Sequence, residues 1–301
     1  MFDSSSSSAH TTPLLPLAAS QRVFAFNDHL GLWFSLGVGL LVIQVGAYLM
    51  PAMGTRDALL AILLGSLAGA GLLGITAQIA CERGLSSAAL MSQTLGHHFA
   101  RLPVIANIVQ LLGWTAFELV VMRDGSAAIV KQLTGIEAGW VAPAATLGWG
   151  LLLVMLAGGS MVRLVRRFIG RFGLPLVVLS LLWLSWQFGL KLQAQGWAAF
   201  WSRQGDGSMS TIAAIDLVMA MPVSWLPLVA DYARYGTEAR SARRGTWIGY
   251  AIANAWCYAL GVLVVSTTQP GADLVGTLLL AQGGLIALGL ILIDEMDNAY
   301  G

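Results

Sequence analysis

The sequence predicts an all-α integral membrane protein, and three observations carry that prediction. Of 301 residues, 57% are hydrophobic and only 10% charged, with a mean hydropathy of +0.74, whereas a soluble domain carries about 25% charged residues. Apolar runs of about 20 residues, the length a helix needs to cross the hydrocarbon core, recur along the chain. The roughly ten-residue alternating pattern of transmembrane β-strands does not occur. A formal net charge of +1 argues against nucleic acid as a partner. The 35 glycines lie inside apolar stretches, and two cysteines, Cys81 and Cys257, are too few for a disulfide scaffold.

In chain order, residues 1–29 read as a cytoplasmic disordered leader. A serine run from Ser4 to Ser8 is followed by Thr11, Thr12, Pro13 and Pro16, without the basic region and cleavage site of a signal peptide. Eight predicted spans follow, at 30–50, 58–80, 103–130, 140–157, 172–190, 212–232, 247–267 and 276–293. The first is glycine-rich (Gly31, Gly37, Gly39, Gly46) and carries the polar Gln44. The second contains Gly65-Ser-Leu-Ala-Gly69, small residues suited to close helix packing. The third places Gln110, Trp114 and Glu118 on one helical face, every fourth residue. The fourth, fifth and seventh rest on length and apolarity alone. Pro222 and Pro227 flank Ser224 and Trp225 in the sixth, and the eighth runs directly into Asp294 and Glu295.

Orientation follows from where Arg and Lys fall. With the N-terminus in the cytoplasm, eleven of the sixteen basic residues lie inside: Arg22, Arg83, Arg101, Arg163, Arg166, Arg167, Arg171, Arg234, Arg240, Arg243 and Arg244. Arg56, Arg123, Lys131, Lys191 and Arg203 are external or embedded. The chain is therefore expected in the cell inner (plasma) membrane, multi-pass, with a cytoplasmic N-terminus. The clusters at 163–171 and 240–244 serve as topology anchors, a lipid-headgroup site being the alternative.

Two features separate a transporter from an inert bundle. Clustered glycine lowers the cost of unwinding a helix and proline removes a backbone donor, so the first and sixth spans are expected to break at corresponding places; simple kinks are the alternative. Polar groups in hydrocarbon are the second feature. Glu118 is protonated, paired with a cation, held for a ligand, or engaged in a packing hydrogen bond. Arg123, about 140° around the helix, is a poor partner for it. Beside Glu118, Trp114 offers a stacking surface for a flat ring. Asp294, Glu295, Asp297 and Asn298 form either a solvated tail or a cation site. The four histidines, His10, His29, His97 and His98, supply no catalytic or metal cluster at depth, so no enzyme activity, metal or cofactor is expected.

The segments Gly37-Val-Gly-Leu-Leu-Val-Ile-Gln44, Cys81-Glu-Arg-Gly-Leu-Ser-Ser87, Leu112-Gly-Trp114, Ala230-Asp-Tyr-Ala-Arg-Tyr-Gly236 and Asp297-Asn-Ala299 resemble those of the nucleobase:cation symporter-1 family. Within it the chain is most similar to the cytosine-permease-like branch that includes transporters of hydroxymethylpyrimidine, a thiamine precursor. The resemblance implies a LeuT-type fold of two inverted repeats. Residues 30–190 would form the first five-helix repeat and 191–301 a partial second repeat of helices six to eight, the fold being truncated after about eight transmembrane helices.

Carried over position by position, the resemblance gives Trp114 the role of the substrate-stacking tryptophan. Glu118 falls where a relative has a substrate-binding glutamine, Ser224 on a substrate-contacting serine and Gln44 on a first-helix substrate position. The family's opposing aromatic falls on Pro222, with Trp225 its replacement. Backbone carbonyls near Gly39, Leu40 and Ile43 fall where a sodium-binding relative has ligands. Asp294 and Glu295 occupy the positions of the two hydroxyl-bearing cation ligands. Met296 takes the place of a substrate asparagine, and Asn298 joins the substrate-binding candidates. The implied activity is symport of a pyrimidine-type nucleobase or hydroxymethylpyrimidine with Na⁺ or H⁺ by alternating access. A non-transporting membrane subunit with a structural or regulatory role is the alternative.

Overall fold

The computed structural model describes residues 14–159, 171–269 and 273–300. The first predicted span is two helices, α1 (Phe26–Ser35) and α2 (Leu40–Ala52), bent by 58° across the intervening residues. Asp28 caps α1, its carboxylate accepting the Ala25 N–H at 2.9 Å. Gly37 sits in the break because nothing larger fits: a Cβ there would lie 2.9 Å from the Ala253 Cβ.

α3 (Thr55–Arg83) ends at Gly84 in the left-handed region, φ +66°, the usual glycine stop. Arg22 closes that end by donating from Nη1 to the Cys81 carbonyl at 3.0 Å. α4 (Ser87–Phe99), capped by the Ser86 hydroxyl, leads into the long α5 (Arg101–Thr134), and α6 (Val141–Ala157) follows. Next come α7 (Leu174–Gln195), the short α8 (Trp197–Ser202), and α9 (Thr211–Ser224) with α10 (Val229–Ala233), interrupted between them at 225–228. The described chain closes with α11 (Ala239–Ser266), the short α12 (Leu274–Leu279) and α13 (Gly284–Tyr300). By length and apolarity α3, α5, α11 and the stretch Arg171–Gln195 each suffice to cross a membrane, as does the bent α1–α2 pair; α6 and α9 are shorter apolar helices.

Small residues bring the inner helices together. A Cβ on Gly46 of α2 would lie 2.1 Å from the Tyr258 carbonyl oxygen, and one on Gly261 of α11 would lie 2.0 Å from that of Ile43, so the two backbones touch. The small-residue motif of the second span works the same way on α9. Gly65 faces Val218 and Gly69 faces Pro222, each with no room for a methyl group. Deep in that contact region Asn254 donates to the Ser66 hydroxyl at 2.9 Å, tying α11 to α3. On the opposite side α5 packs against α6 and α13. Its other face, with Ile105, Val109 and Leu112, is exposed and apolar, as lipid contact requires.

Two sequence expectations are corrected, and one of the two readings of the acidic end falls away. The leader placed over 1–29 does not extend to its end: Phe24 is fully buried, Val23 and Phe24 donate to the Tyr235 carbonyl at 2.8 and 2.9 Å, and Thr237 donates back to Phe24 at 2.9 Å. Backbone pairing of this kind leaves no side-chain pattern to read. The eighth span begins at Gly284, because the chain turns at Gly283 (φ +69°) after α12. The acidic end is no solvated tail, since Asp294 and Glu295 are 7% and 1% exposed within α13. Of the basic cluster at 163–171, all but Arg171 lies outside the described residues.

Candidate functional site

A helix that breaks inside a membrane strands backbone groups that need partners. α5 supplies them for the second break: Gln110 donates to the Ser224 carbonyl at 2.7 Å and Asn107 to the Pro227 carbonyl at 3.3 Å. At the first break the donor comes from α13, where Asn298 Nδ2 lies 2.9 Å from the Val38 carbonyl oxygen. Thr115 of α5 in turn donates to the Ala299 carbonyl at 3.1 Å, joining α5 to α13.

Both breaks open onto one cavity. Leu36, Val38 and Gly39 line it from the first, Ser224 and Trp225 from the second, Trp114 and Glu118 from α5, Tyr250 from α11 and Asn298 from α13. Of the residues expected to meet substrate, Trp114, Glu118, Ser224, Trp225 and Asn298 are therefore brought together. Gln44 is not: it sits half-buried a turn into α2, away from the lining. Trp225 reaches the cavity because α9 ends at Ser224, which re-aims the next side chain; its ring packs edge-on against Trp33 at 5.9 Å. Pro222 faces α3 instead, against Gly69. Met296 packs with Met122 and Leu153, leaving Asn298 as the polar side chain of α13 at the cavity wall.

The expected cation positions regroup. Glu295 Oε1 accepts the Leu40 N–H at 2.5 Å and Oε2 accepts from Asn298 at 3.2 Å. Ser35 donates to Asp294 at 2.7 Å. The Ile43 carbonyl is pressed against Gly261, and the Gly39 carbonyl accepts the Ile43 N–H at 3.2 Å. Glu118 of α5 and Glu295 of α13 are both buried, at 8% and 1% exposed, and the Leu40 N–H ties Glu295 to the first break. No cluster of three or more His, Cys, Asp or Glu suited to a metal occurs among the described residues.

Comparison with known proteins sets this geometry in a family. The sequence profile described as "Permease for cytosine/purines, uracil, thiamine, allantoin" matches residues 16–293. The chain belongs to this permease family. No curated protein matches it significantly by sequence. Among solved structures it is similar to Mhp1, a nucleobase-cation-symport-1 family transporter, in a closed conformation with bromovinylhydantoin bound, at 13% identity and a TM-score of 0.74, over 96% of this chain and 66% of that one. It is also similar to the inward-facing conformation of Mhp1, at 14% identity and a TM-score of 0.70, over 95% and 64% of the two chains. The permease-family chain therefore has the LeuT-type fold and spans slightly under two thirds of Mhp1's length. Its family is one of carriers, not enzymes.

Sequence reasoning missed three contributors to the site. Asn107 and Thr115 lie on the same side of α5 as Gln110 and Glu118, so the polar stripe there was readable but incomplete. Tyr250 stood out only as a tyrosine in an apolar run.

Proposed function

We propose that the chain is a secondary transporter of a flat, polar heterocycle of the pyrimidine type, moved together with a cation by alternating access. The observation that carries this reading is the convergence of both helix breaks, Trp114 and Glu118 on a single cavity. A 4-aminopyrimidine presents an amino donor beside a ring-nitrogen acceptor. A protonated Glu118 carboxyl presents an acceptor and a donor in the complementary order, giving two parallel hydrogen bonds. Trp114 and Trp225 supply aromatic surface for the ring, and Ser224 and Asn298 the polar edge. Within the permease family, a cytosine-like base or hydroxymethylpyrimidine fits this donor and acceptor pattern.

Residues 30–190 are taken as the first inverted repeat and 191–301 as part of the second, in keeping with the matched breaks at 36–39 and 225–228. The chain is placed in the plasma membrane with its N-terminus in the cytoplasm. Inward movement of one positive charge yields about 2.3 kcal/mol per 100 mV, enough for roughly 50-fold accumulation of substrate.

Uptake of radiolabelled cytosine and hydroxymethylpyrimidine into vesicles containing the purified chain tests the proposal. Saturable uptake above that of empty vesicles is expected. Sealed, well-folded vesicles that take up neither base contradict it and favour the non-transporting membrane subunit.

A further inference from the structure

We propose that the Tyr250 hydroxyl donates a hydrogen bond to the 2-oxo group of the substrate, so that the cavity selects a 4-amino-2-oxopyrimidine over 4-aminopyrimidines that lack this oxygen. This role for Tyr250 rests on the substrate reading of the cavity and narrows it.

Three hydroxyl side chains line the cavity: Thr115, Ser224 and Tyr250. Two have already given their hydrogen away. Thr115 donates to the Ala299 carbonyl at 3.1 Å and Ser224 to the Met221 carbonyl at 2.7 Å. Asn298 is committed as well, its amide nitrogen reaching the Val38 carbonyl at 2.9 Å and Glu295 at 3.2 Å. Ser224 and Asn298 therefore face a ligand as acceptors, through their oxygen lone pairs. Tyr250 differs. It is fully buried, and its hydroxyl has no hydrogen-bond partner among the described residues. Trp225, in the same cavity wall, carries an indole N–H, a donor that cannot take the hydroxyl hydrogen.

A buried donor without an acceptor is costly, and its position decides what relieves it. The unpartnered hydroxyls of Thr246 and Tyr258, on the same helix, belong to residues off the cavity, whereas Tyr250 lines it. Tyr250 is also held in place. A Cβ on Gly249 would lie 2.4 Å from the Leu30 carbonyl oxygen, so α11 lies directly on α1, and the Tyr250 ring packs against Trp33 at 6.1 Å. A hydroxyl at the end of a fixed ring asks for its acceptor at one place.

The substrate supplies that acceptor next to the groups that Glu118 reads. Along one edge, a 4-amino-2-oxopyrimidine presents a donor and two acceptors in order: the 4-amino group, ring nitrogen 3 and the 2-oxo group. The Glu118 carboxyl answers the first two, and the Tyr250 hydroxyl answers the third. The two side chains reach the cavity from different helices, α5 and α11. Hydroxymethylpyrimidine carries a methyl group in place of the 2-oxo group and leaves the hydroxyl stranded. A site built to hydrogen-bond a substrate group discriminates against the analogue without it.

Isothermal titration of the purified chain with cytosine and with 4-aminopyrimidine tests this. The wild-type chain is expected to bind cytosine more tightly. Tyr250→Phe is expected to weaken cytosine binding by roughly 2- to 12-fold and to leave 4-aminopyrimidine binding unchanged, which also shows that the variant is folded. Wild-type binding of 4-aminopyrimidine that equals or exceeds that of cytosine overturns the assignment without any substitution, as does unchanged cytosine binding in Tyr250→Phe. Equal losses for both ligands give the hydroxyl a structural role and overturn it too. If the wild-type chain binds neither ligand, the substrate reading itself fails, and the assignment to Tyr250 falls with it.

Discussion

Asn298 Nδ2 stands 2.9 Å from the carbonyl oxygen of Val38, linking α13 to the non-helical stretch of the first span. The same amide nitrogen reaches Glu295 Oε2 at 3.2 Å, so one side chain holds the break and the acid together. Asn298→Ala strands both acceptors, and a buried acceptor left unsatisfied costs about 1–3 kcal/mol. Thermal unfolding of the purified chain in detergent is expected to show that loss. An unchanged melting temperature would mean the break is held elsewhere.

The α2–α11 contact is a second target. Gly261→Leu is expected to force the helices apart and to destabilise the chain by about 1–3 kcal/mol or more, since even a Cβ would lie 2.0 Å from the Ile43 carbonyl oxygen. Gly113→Ala on α5 is the matching control. A Cβ there meets nothing within 4 Å, and replacing a mid-helix glycine by alanine is worth up to about 1 kcal/mol. Denaturation of the two variants side by side checks the opposite signs.

Gln110 satisfies the last carbonyl of α9 at 2.7 Å. Gln110→Leu keeps approximate side-chain size and removes the donor, at an expected cost of about 1–3 kcal/mol. Because the loss falls on the break and not on the cavity wall, cytosine affinity should fall together with stability. Binding measured by quenching of tryptophan fluorescence, alongside the melt, shows whether the two move together.

Trp114 and Trp225 both line the cavity. Base stacking on an aromatic side chain is worth about 1–3 kcal/mol by alanine substitution, or roughly 5- to 150-fold in affinity. Trp114→Ala is expected to weaken cytosine binding by a factor in that range, with Trp114→Phe retaining most of it. Isothermal titration of each variant measures the loss, and the same substitution at Trp225 ranks the two rings.

Much of this was readable in the sequence. Gly37 and Gly39, and Pro222 with Pro227, mark the two breaks because backbone freedom and a missing donor are properties of the residues themselves. Glu118 is conspicuous for the same kind of reason, as a carboxyl in an apolar run. The approach of Asn298 to the Val38 carbonyl was not readable, since it depends on how α13 packs against the first break. The aim of Trp225 depends on where α9 stops, and the pairing of Phe24 with Thr237 is made by backbone atoms that every residue shares. Local chemistry announces itself, and tertiary contact does not.

The most direct test of the proposed transport site is counterflow of radiolabelled cytosine in vesicles, compared across substitutions at Glu118. Wild-type vesicles preloaded with unlabelled cytosine should draw in label, Glu118→Ala should abolish the exchange, and Glu118→Gln should retain part of it with a flattened pH dependence. Counterflow in Glu118→Ala equal to that of the wild type would contradict a substrate site built on this carboxyl.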